Sequence, residues 1–188
     1  MKQEFTIIIF SENHVGLLNQ VTTVFTRRNI NIESLNTSES AIAGIHKFTV
    51  VVHTTREQVD KLVGQIDKKI DVLKAFVFTA DEIIHQEIAL YKVPTEALMN
   101  GSEVENLVRQ YGAQILEVHR DYTVIQKTGH KHETQELFEK LDKFGVLQFI
   151  RSGRVAVTKT NWEQLATYLR QIEKENREKA LKIKNSEL

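Results

Sequence analysis

The segment from Glu12 to Leu18 carries the residue types that best suit the binding of a small ligand. It follows a strand-like apolar run at residues 5–10 and precedes apolar positions at helical spacing, so it should lie at a helix N-terminus. Unpaired backbone N–H groups and a partial positive charge make such a terminus suitable for a carboxylate. Gly16 has no Cβ and lets a ligand approach the backbone closely. Asn13 can present its amide oxygen to an ammonium group, or it can simply cap the helix.

Asn31 is a second polar residue at the start of a predicted strand. In a βαβ unit, that start lies at the opposite end of the sheet layer from the N-terminus of the first helix. Asn13 and Asn31 of one chain therefore need not contact the same ligand. They can converge if two copies pair edge to edge or helix to helix. An Asn-x-x-Gly sequence before a helix is often only a cap and a turn, so the spacing alone leaves both interpretations open.

Hydrophobic periods near 2 and near 3.6 alternate along the chain and predict its secondary structure. The first half reads strand, helix, strand, strand, helix, strand, which is the split βαβ or ferredoxin-like order. The predicted strands are residues 5–10, 30–35, 47–53 and 71–79, and the first helix covers residues 16–28. A second helix is predicted from a capping box at Thr54-Thr55-Arg56-Glu57, and residues 36–44 are expected to form a hairpin loop.

The second half repeats the same order. Strands are predicted at 84–93, 114–119, 122–127 and 146–151, with helices at 103–111 and around Leu137–Phe144. The fold class predicted is α+β, with two tandem ferredoxin-like βαββαβ domains at 3–79 and 83–158. Residues 161–188 are predicted to form a C-terminal amphipathic and charged helix. That helix either packs its first turns and frays in solvent, or docks onto a partner.

Composition narrows the classes of function. The 188 residues are 41% hydrophobic and 27% charged, as in an ordinary soluble protein. The absence of cysteine excludes disulfides, thiolate metal sites and a cysteine nucleophile. Net charge is zero and the third strand offers only Phe48 for stacking on bases, so we expect no nucleic-acid partner. The N-terminus lacks a signal-peptide pattern and the apolar runs are too short to span a bilayer, so we expect a cytoplasmic protein without membrane contact.

No motif in the chain predicts catalysis. The His-x-His spacing at residues 130–132 suits a metal, but the segment opens a predicted helix, and surface histidines are the preferred interpretation. The histidines at 46, 53, 85 and 119 are scattered, and no role is assigned to them. No Ser-His-Asp order, HExxH motif or glycine-rich phosphate loop is present. We therefore predict no catalytic residue and no metal ligand.

Longer stretches of the chain resemble a known family. The run Asn13-His14-Val15-Gly16-Leu17-Leu18 and residues 25–35, which end in Asn-Ile-Glu-Ser-Leu, resemble the ACT domain. They are particularly similar to the small regulatory subunit of acetolactate synthase (acetohydroxyacid synthase). Glu87–Val93, Tyr122–Val124 and Arg151–Gly153 extend the resemblance into the second half, so that it covers about residues 3–158.

The resemblance implies a regulatory, non-catalytic subunit. Such a subunit binds the catalytic large subunit of acetolactate synthase, raises its activity and confers feedback inhibition, usually by valine. Thiamine diphosphate, magnesium and FAD are then expected in the catalytic partner, and no cofactor in this chain. The alternative is a free-standing ACT-type amino-acid sensor that regulates another enzyme or a transcription factor.

The resemblance also implies where the amino-acid effector binds. Residues 3–79 would be the ACT domain, which pairs as a homodimer and holds the effector between the two copies. Position by position, the effector-binding residues are Asn13, Val15, Gly16, Leu17, Leu18, Asn31 and Ile32. Val15 stands where relatives often have a small residue or proline, which implies a tighter or differently selective pocket.

Overall fold

The computed structural model of the protein describes residues 1–99, 102–162 and 164–174. Its first unit is a four-stranded antiparallel sheet with the strand order β2-β3-β1-β4 and two helices on one face. The elements are β1 (Gln3–Glu12), α1 (Leu17–Arg27), β2 (Ile32–Glu39), β3 (Ile45–Thr54), α2 (Arg56–Ile66) and β4 (Val72–Phe78). This is the βαββαβ order that the hydrophobic periods predict.

The central strand β1 is buried on both faces. Phe5, Ile7 and Ile9 point to one side and pack against the apolar stripes of α1 and α2. Ile8 and Phe10 alternate to the other side, because successive side chains of a strand point to opposite faces. In a ferredoxin-like unit the helices cover only one face of the sheet. Because Ile8 and Phe10 are buried on the other face, another part of the chain must cover that face.

The second unit repeats the order with one additional strand. Its sheet has the order β6-β7-β5-β8, and β9 pairs with β5 outside this path. The elements are β5 (Ile83–Pro94), α3 (Glu96–Met99), α4 (Glu103–Gln110), β6 (Gln114–Val118), β7 (Tyr122–Gly129), α5 (Lys131–Leu141), β8 (Gln148–Arg151) and β9 (Val155–Thr158). Ala89, Tyr91 and Val93 of β5 face α4 and α5 in a separate core.

The long strand β5 connects the two units. Its residues 87–94 belong to the second sheet, whereas residues 83–86 pair with β9 to form a two-stranded ribbon. This ribbon and a C-terminal helix, α6 (residues 164–174), cover the outer face of the first sheet. Leu165 of α6 and Ala156 of β9 are buried there beside Phe10. The two units therefore share a third apolar core.

Several details of the sequence-based prediction need correction. The predicted loop at 36–44 is shorter, because residues 36–39 continue β2 and pair with β3. Thr55, rather than Thr54, caps α2 by accepting a hydrogen bond from Gln58 N at 3.3 Å. The short helix α3 and the strand β9 were not predicted. Each has only four residues, too few to display a clear hydrophobic period.

The C-terminal helix predicted over 161–188 is helical at residues 164–174. Position 163 and residues 175–188 lie outside the described residues. Among the described residues, no helix is both long enough and apolar enough to cross a lipid bilayer.

Candidate functional site

The β1–α1 junction forms a helix N-terminus without a side-chain cap. Gly16 occupies the N-cap position with φ +90°, in the left-handed region that favours glycine. Asn13 therefore does not cap the helix. The first intrahelical bond runs from Gln20 N to Gly16 O at 3.1 Å, so the amides of the preceding turn have no partner within the helix. The first turn also lacks an acidic residue, which leaves its partial positive charge uncompensated.

The side chains around this terminus divide into exposed and buried ones. Asn13 and Gly16 are exposed, Val15 is fully exposed, and Leu18 is 42% exposed. Leu17, by contrast, is buried in the core of the first unit, so only its backbone can reach a ligand, and its N–H donates to His14 O at 3.3 Å. Two apolar side chains thus flank a polar backbone site in open solvent. This arrangement suits a ligand or a second copy that covers them.

Asn31 and Ile32 lie far from this junction in the same chain. Ile32 of β2 pairs with Val52 of β3, which in turn pairs with Phe5 of β1. Phe5 is seven residues from Glu12, the end of β1 next to Asn13, and this corresponds to about 23 Å at about 3.3 Å per residue. One chain therefore does not bring Asn13 and Asn31 together. Because β2 is an edge strand, it is open to pairing with a second copy.

Acidic residues lie close to both asparagines, by a hydrogen bond at Asn31 and by sequence at Asn13. Asn31 Nδ2 donates to Glu33 Oε1 at 2.9 Å. Glu12, which precedes Asn13, lies with its Oε2 atom 3.1 Å from His14 Nε2. Glu12, His14 and Asp71 place three ligand atoms within 4.8 Å of one another, a set that can hold a divalent cation. Exposed acidic groups often gather in this way without an ion, and we assign no metal to them.

A junction between the two units contacts β2 close to Asn31. Arg154, 4% exposed, donates from Nη1 to Thr6 Oγ1 and to Glu4 Oε1, both at 2.8 Å. Its backbone N–H donates to Ser34 Oγ of β2 at 3.0 Å. Beside it, Gly153 lies so close to β2 that a Cβ atom would be 2.6 Å from Leu35 O. This junction was not predicted from the sequence, because only the tertiary structure shows that residues 151–154 reach the first unit.

Comparison with known protein families gives a consistent result for both units. Residues 7–74 match the family described as "AHAS small subunit-like ACT domain", and residues 86–160 match "Small subunit of acetolactate synthase". The acetolactate synthase small subunit of Bacillus subtilis is 35% identical over 157 residues, which cover 83% of this chain and 90% of the relative.

The chain belongs to the family of acetolactate synthase small subunits.

Other similar proteins agree with this small-subunit assignment. A probable acetolactate synthase small subunit from Archaeoglobus fulgidus is 29% identical, with 83% of this chain and 97% of the relative covered. The crystal structure of the small subunit from Thermotoga maritima superposes with a TM-score of 0.77 at 24% identity, covering 85% of this chain and 99% of that one. This likeness shows the fold. The resemblance and the fold class predicted from the sequence are thereby confirmed.

A contact between two histidines of this small-subunit chain was not predicted from the sequence. His85 of β5 and His130, the residue before α5, approach to 3.1 Å between Nε2 and Nδ1. His132 stacks on His130 with ring centroids 5.8 Å apart. Burial first, and then the charges of Arg154 and His130, lower the pKa of His85, while Glu4 opposes them. The lowered pKa favours the neutral ring of His85, which shares one hydrogen bond with His130.

Proposed function

We propose that this chain is the regulatory subunit of acetolactate synthase, without catalytic residues of its own. In this proposal it binds the catalytic large subunit in the cytoplasm, raises its activity and confers feedback inhibition by valine. Thiamine diphosphate, magnesium and FAD would be held by the large subunit. Membership of the small-subunit family supports the partner, and the uncapped N-terminus of α1 supports an amino-acid effector.

The effector site of this proposal lies at the seam of a homodimer formed by two first units. The backbone at Gly16 and Leu17 would receive the effector's carboxylate, which would replace His14 O as the acceptor for Leu17 N. Asn13 would accept a hydrogen bond from the effector's ammonium group. Asn31 and Ile32 would come from the second copy, because the same chain holds them about 23 Å away. The exposed side chains of Val15 and Leu18 would cover the branched apolar side chain of valine.

Inhibition in this proposal requires that valine bind one dimer arrangement better than the other. A coupling of about 1–3 kcal/mol corresponds to a roughly 5- to 150-fold change in affinity. The junction at Arg154 offers a physical connection for this coupling. It holds β2 through Ser34 and continues through Arg151, whose Nε atom is 3.2 Å from Glu87 Oε2 in the second unit. The second unit would then transmit the change to the large subunit.

Gly16→Asp tests the carboxylate site, with Gly16→Asn as the matched control. Both replacements meet no heavy atom within 4 Å of the new Cβ and share the same backbone strain at φ +90°. They differ in one negative charge, which would repel the carboxylate of valine. We expect Gly16→Asp to lose valine binding by at least tenfold in calorimetry, and Gly16→Asn to lose much less. Activation of the large subunit should persist in both.

The outcome separates the proposal from its alternatives. Full valine sensitivity in Gly16→Asp would contradict the site. Failure of the large subunit to co-purify with the wild-type chain would instead favour a free-standing amino-acid sensor. The identity of the effector is best tested by a thermal-shift screen of the common amino acids, because a ligand that binds the folded state raises its melting temperature.

A further inference from the structure

A cavity of about 580 Å³ lies on the helical side of the first unit, away from the Gly16 junction. Its volume falls in the range of small-molecule sites. Val24 and Ile30, both nearly buried, supply its apolar part. Its remaining lining consists of the amides Gln58 and Gln65 and of the cations Arg27, Arg28, Lys68 and Lys69. None of the described residues that line it is a carboxylate.

Three acidic residues close to the cavity in sequence are paired elsewhere, and Asp71, two residues after Lys69, lies beside Glu12 and His14 instead. Asp67, between Gln65 and Lys68, accepts hydrogen bonds from Lys74 Nζ and from Ala75 N of β4. On α2, Glu57 pairs with Lys61 and Asp60 pairs with Arg56, each between residues four positions apart. Within the described part of the chain, none of the four cavity cations forms an ion pair. A chain of zero net charge thus places four positive charges around one cavity.

The usual explanation for basic residues at these positions is the negative partial charge of a helix C-terminus. This partial charge explains one cation at the end of α1 or one at the end of α2. Each helix end carries only about half a negative charge, so two ends offset roughly one of the four positive charges. A surplus of positive charge remains in the cavity, and a bound anion would balance it.

Hydrogen bonds also orient the donors of this cavity. Arg28 Nε donates to Gln65 Oε1 at 2.7 Å, which fixes one edge of the guanidinium and leaves its Nη edge for a ligand. Gln58 Oε1 accepts from Thr54 Oγ1 at 2.5 Å, so its NH₂ group is the remaining donor. A guanidinium edge matches the paired oxygens of a phosphate group.

We propose that this cavity binds a small anion with two or more linked phosphate groups. The charge of such an anion matches the surplus in the cavity better than a single carboxylate does, and the arginine edge favours phosphate. This inference goes beyond the proposed function and does not depend on valine, on the dimer seam or on the large subunit.

The test is calorimetric titration of the full chain with inorganic triphosphate at low salt. The cavity variant is Arg28→Gln with Lys69→Gln. The control is Arg109→Gln with Lys140→Gln, which removes the same charge from exposed positions on α4 and α5. We expect the cavity variant to bind at least tenfold more weakly than wild type, and the control to change less than twofold. Absence of binding to the wild type, or equal losses in both variants, would overturn the proposal.

Two further arms sharpen this test. Because Arg28 also bonds Gln65, Lys68→Gln with Lys69→Gln gives a second cavity variant that keeps that bond, and the same weakening is expected. Citrate and an oligoglutamate peptide serve as competing probes, and triphosphate should bind several times more tightly than either. Equal binding of citrate would refute the phosphate preference, and tighter binding of the peptide would indicate an acidic protein segment instead.

Discussion

The contact between His85 and His130 shows how one residue responds to both units at once. His85 lies on the ribbon half of β5, and His130 precedes α5 of the second unit. Burial, Arg154 and His130 lower the pKa of His85, and only Glu4 acts in the opposite direction. The folded state therefore prefers the neutral ring, whereas the unfolded chain takes up a proton near the ordinary pKa of 6.5.

This shift predicts a loss of stability in acid. Below about pH 6.5 the unfolded state binds more protons at His85 than the folded state does, so the free energy of unfolding should fall as pH decreases through the lowered pKa. His85→Gln should flatten this dependence in urea unfolding measured at pH 7.5 and pH 5.5. His119→Gln, on an exposed turn, is the control and should keep the wild-type slope. An unchanged slope in His85→Gln would contradict the prediction.

At the scale of elements, glycine has different roles in α2 and in the junction. Gly64 lies inside α2 with no heavy atom within 4 Å of its would-be Cβ. Gly153 follows β8 and is pressed against the carbonyl of Leu35. Gly64 therefore has room for a methyl group. Gly153 has none, because its neighbour is the backbone of Leu35, which is held in the first sheet.

Replacement of these two glycines by alanine should therefore change the free energy of unfolding in opposite directions. Gly64→Ala should raise the free energy of unfolding by about 0.5–1 kcal/mol, because alanine loses less backbone entropy in a helix. Gly153→Ala should lower it by about 1–3 kcal/mol, the usual cost of overpacking. Urea denaturation of both variants measures the difference. If Gly153→Ala matched wild type, the close contact with β2 would be disproved.

The Arg154 junction also predicts a variant that binds valine normally but transmits less inhibition to the large subunit. Arg154→Met keeps an unbranched apolar stem but removes the guanidinium and its bonds to Glu4 and Thr6. In this variant valine should bind to the small subunit with nearly unchanged affinity, while maximal inhibition of the reconstituted enzyme falls. Arg109→Met is the control, because Arg109 is exposed on α4 and takes no part in the junction. Full inhibition in Arg154→Met would exclude the junction from the coupling, and Arg154→Lys should restore part of the response.

At the scale of the whole molecule, the two units are joined by a shared apolar core. Ile8 and Phe10 of the first sheet would be open to water without the ribbon and α6. Leu165 of α6 is completely buried in this core, and Tyr168 packs beside it. The first turns of α6 thus contribute to the fold itself.

Two truncations test this contribution. Deletion of residues 161–188 should lower the free energy of unfolding by at least about 2 kcal/mol, because burial of a leucine side chain alone contributes about 1.5–3 kcal/mol. Deletion of residues 175–188 keeps the described contacts of α6 and should have little effect on stability. Equal stability of the two truncated chains would contradict a structural role for α6. If deletion of residues 175–188 reduced activation of the large subunit without changing stability, the docking interpretation would gain support.

The sequence by itself determined the two βαββαβ units and the position of Asn13–Leu18 at a strand–helix junction. These features follow from hydrophobic periods and glycine placement, which act over a few residues. Only the tertiary structure decided that β9 pairs with the start of β5 and that Arg154 is buried against β2. Such contacts join segments up to 148 positions apart. These contacts are stabilised by packing between the units, and such packing produces no hydrophobic period in the sequence of either segment.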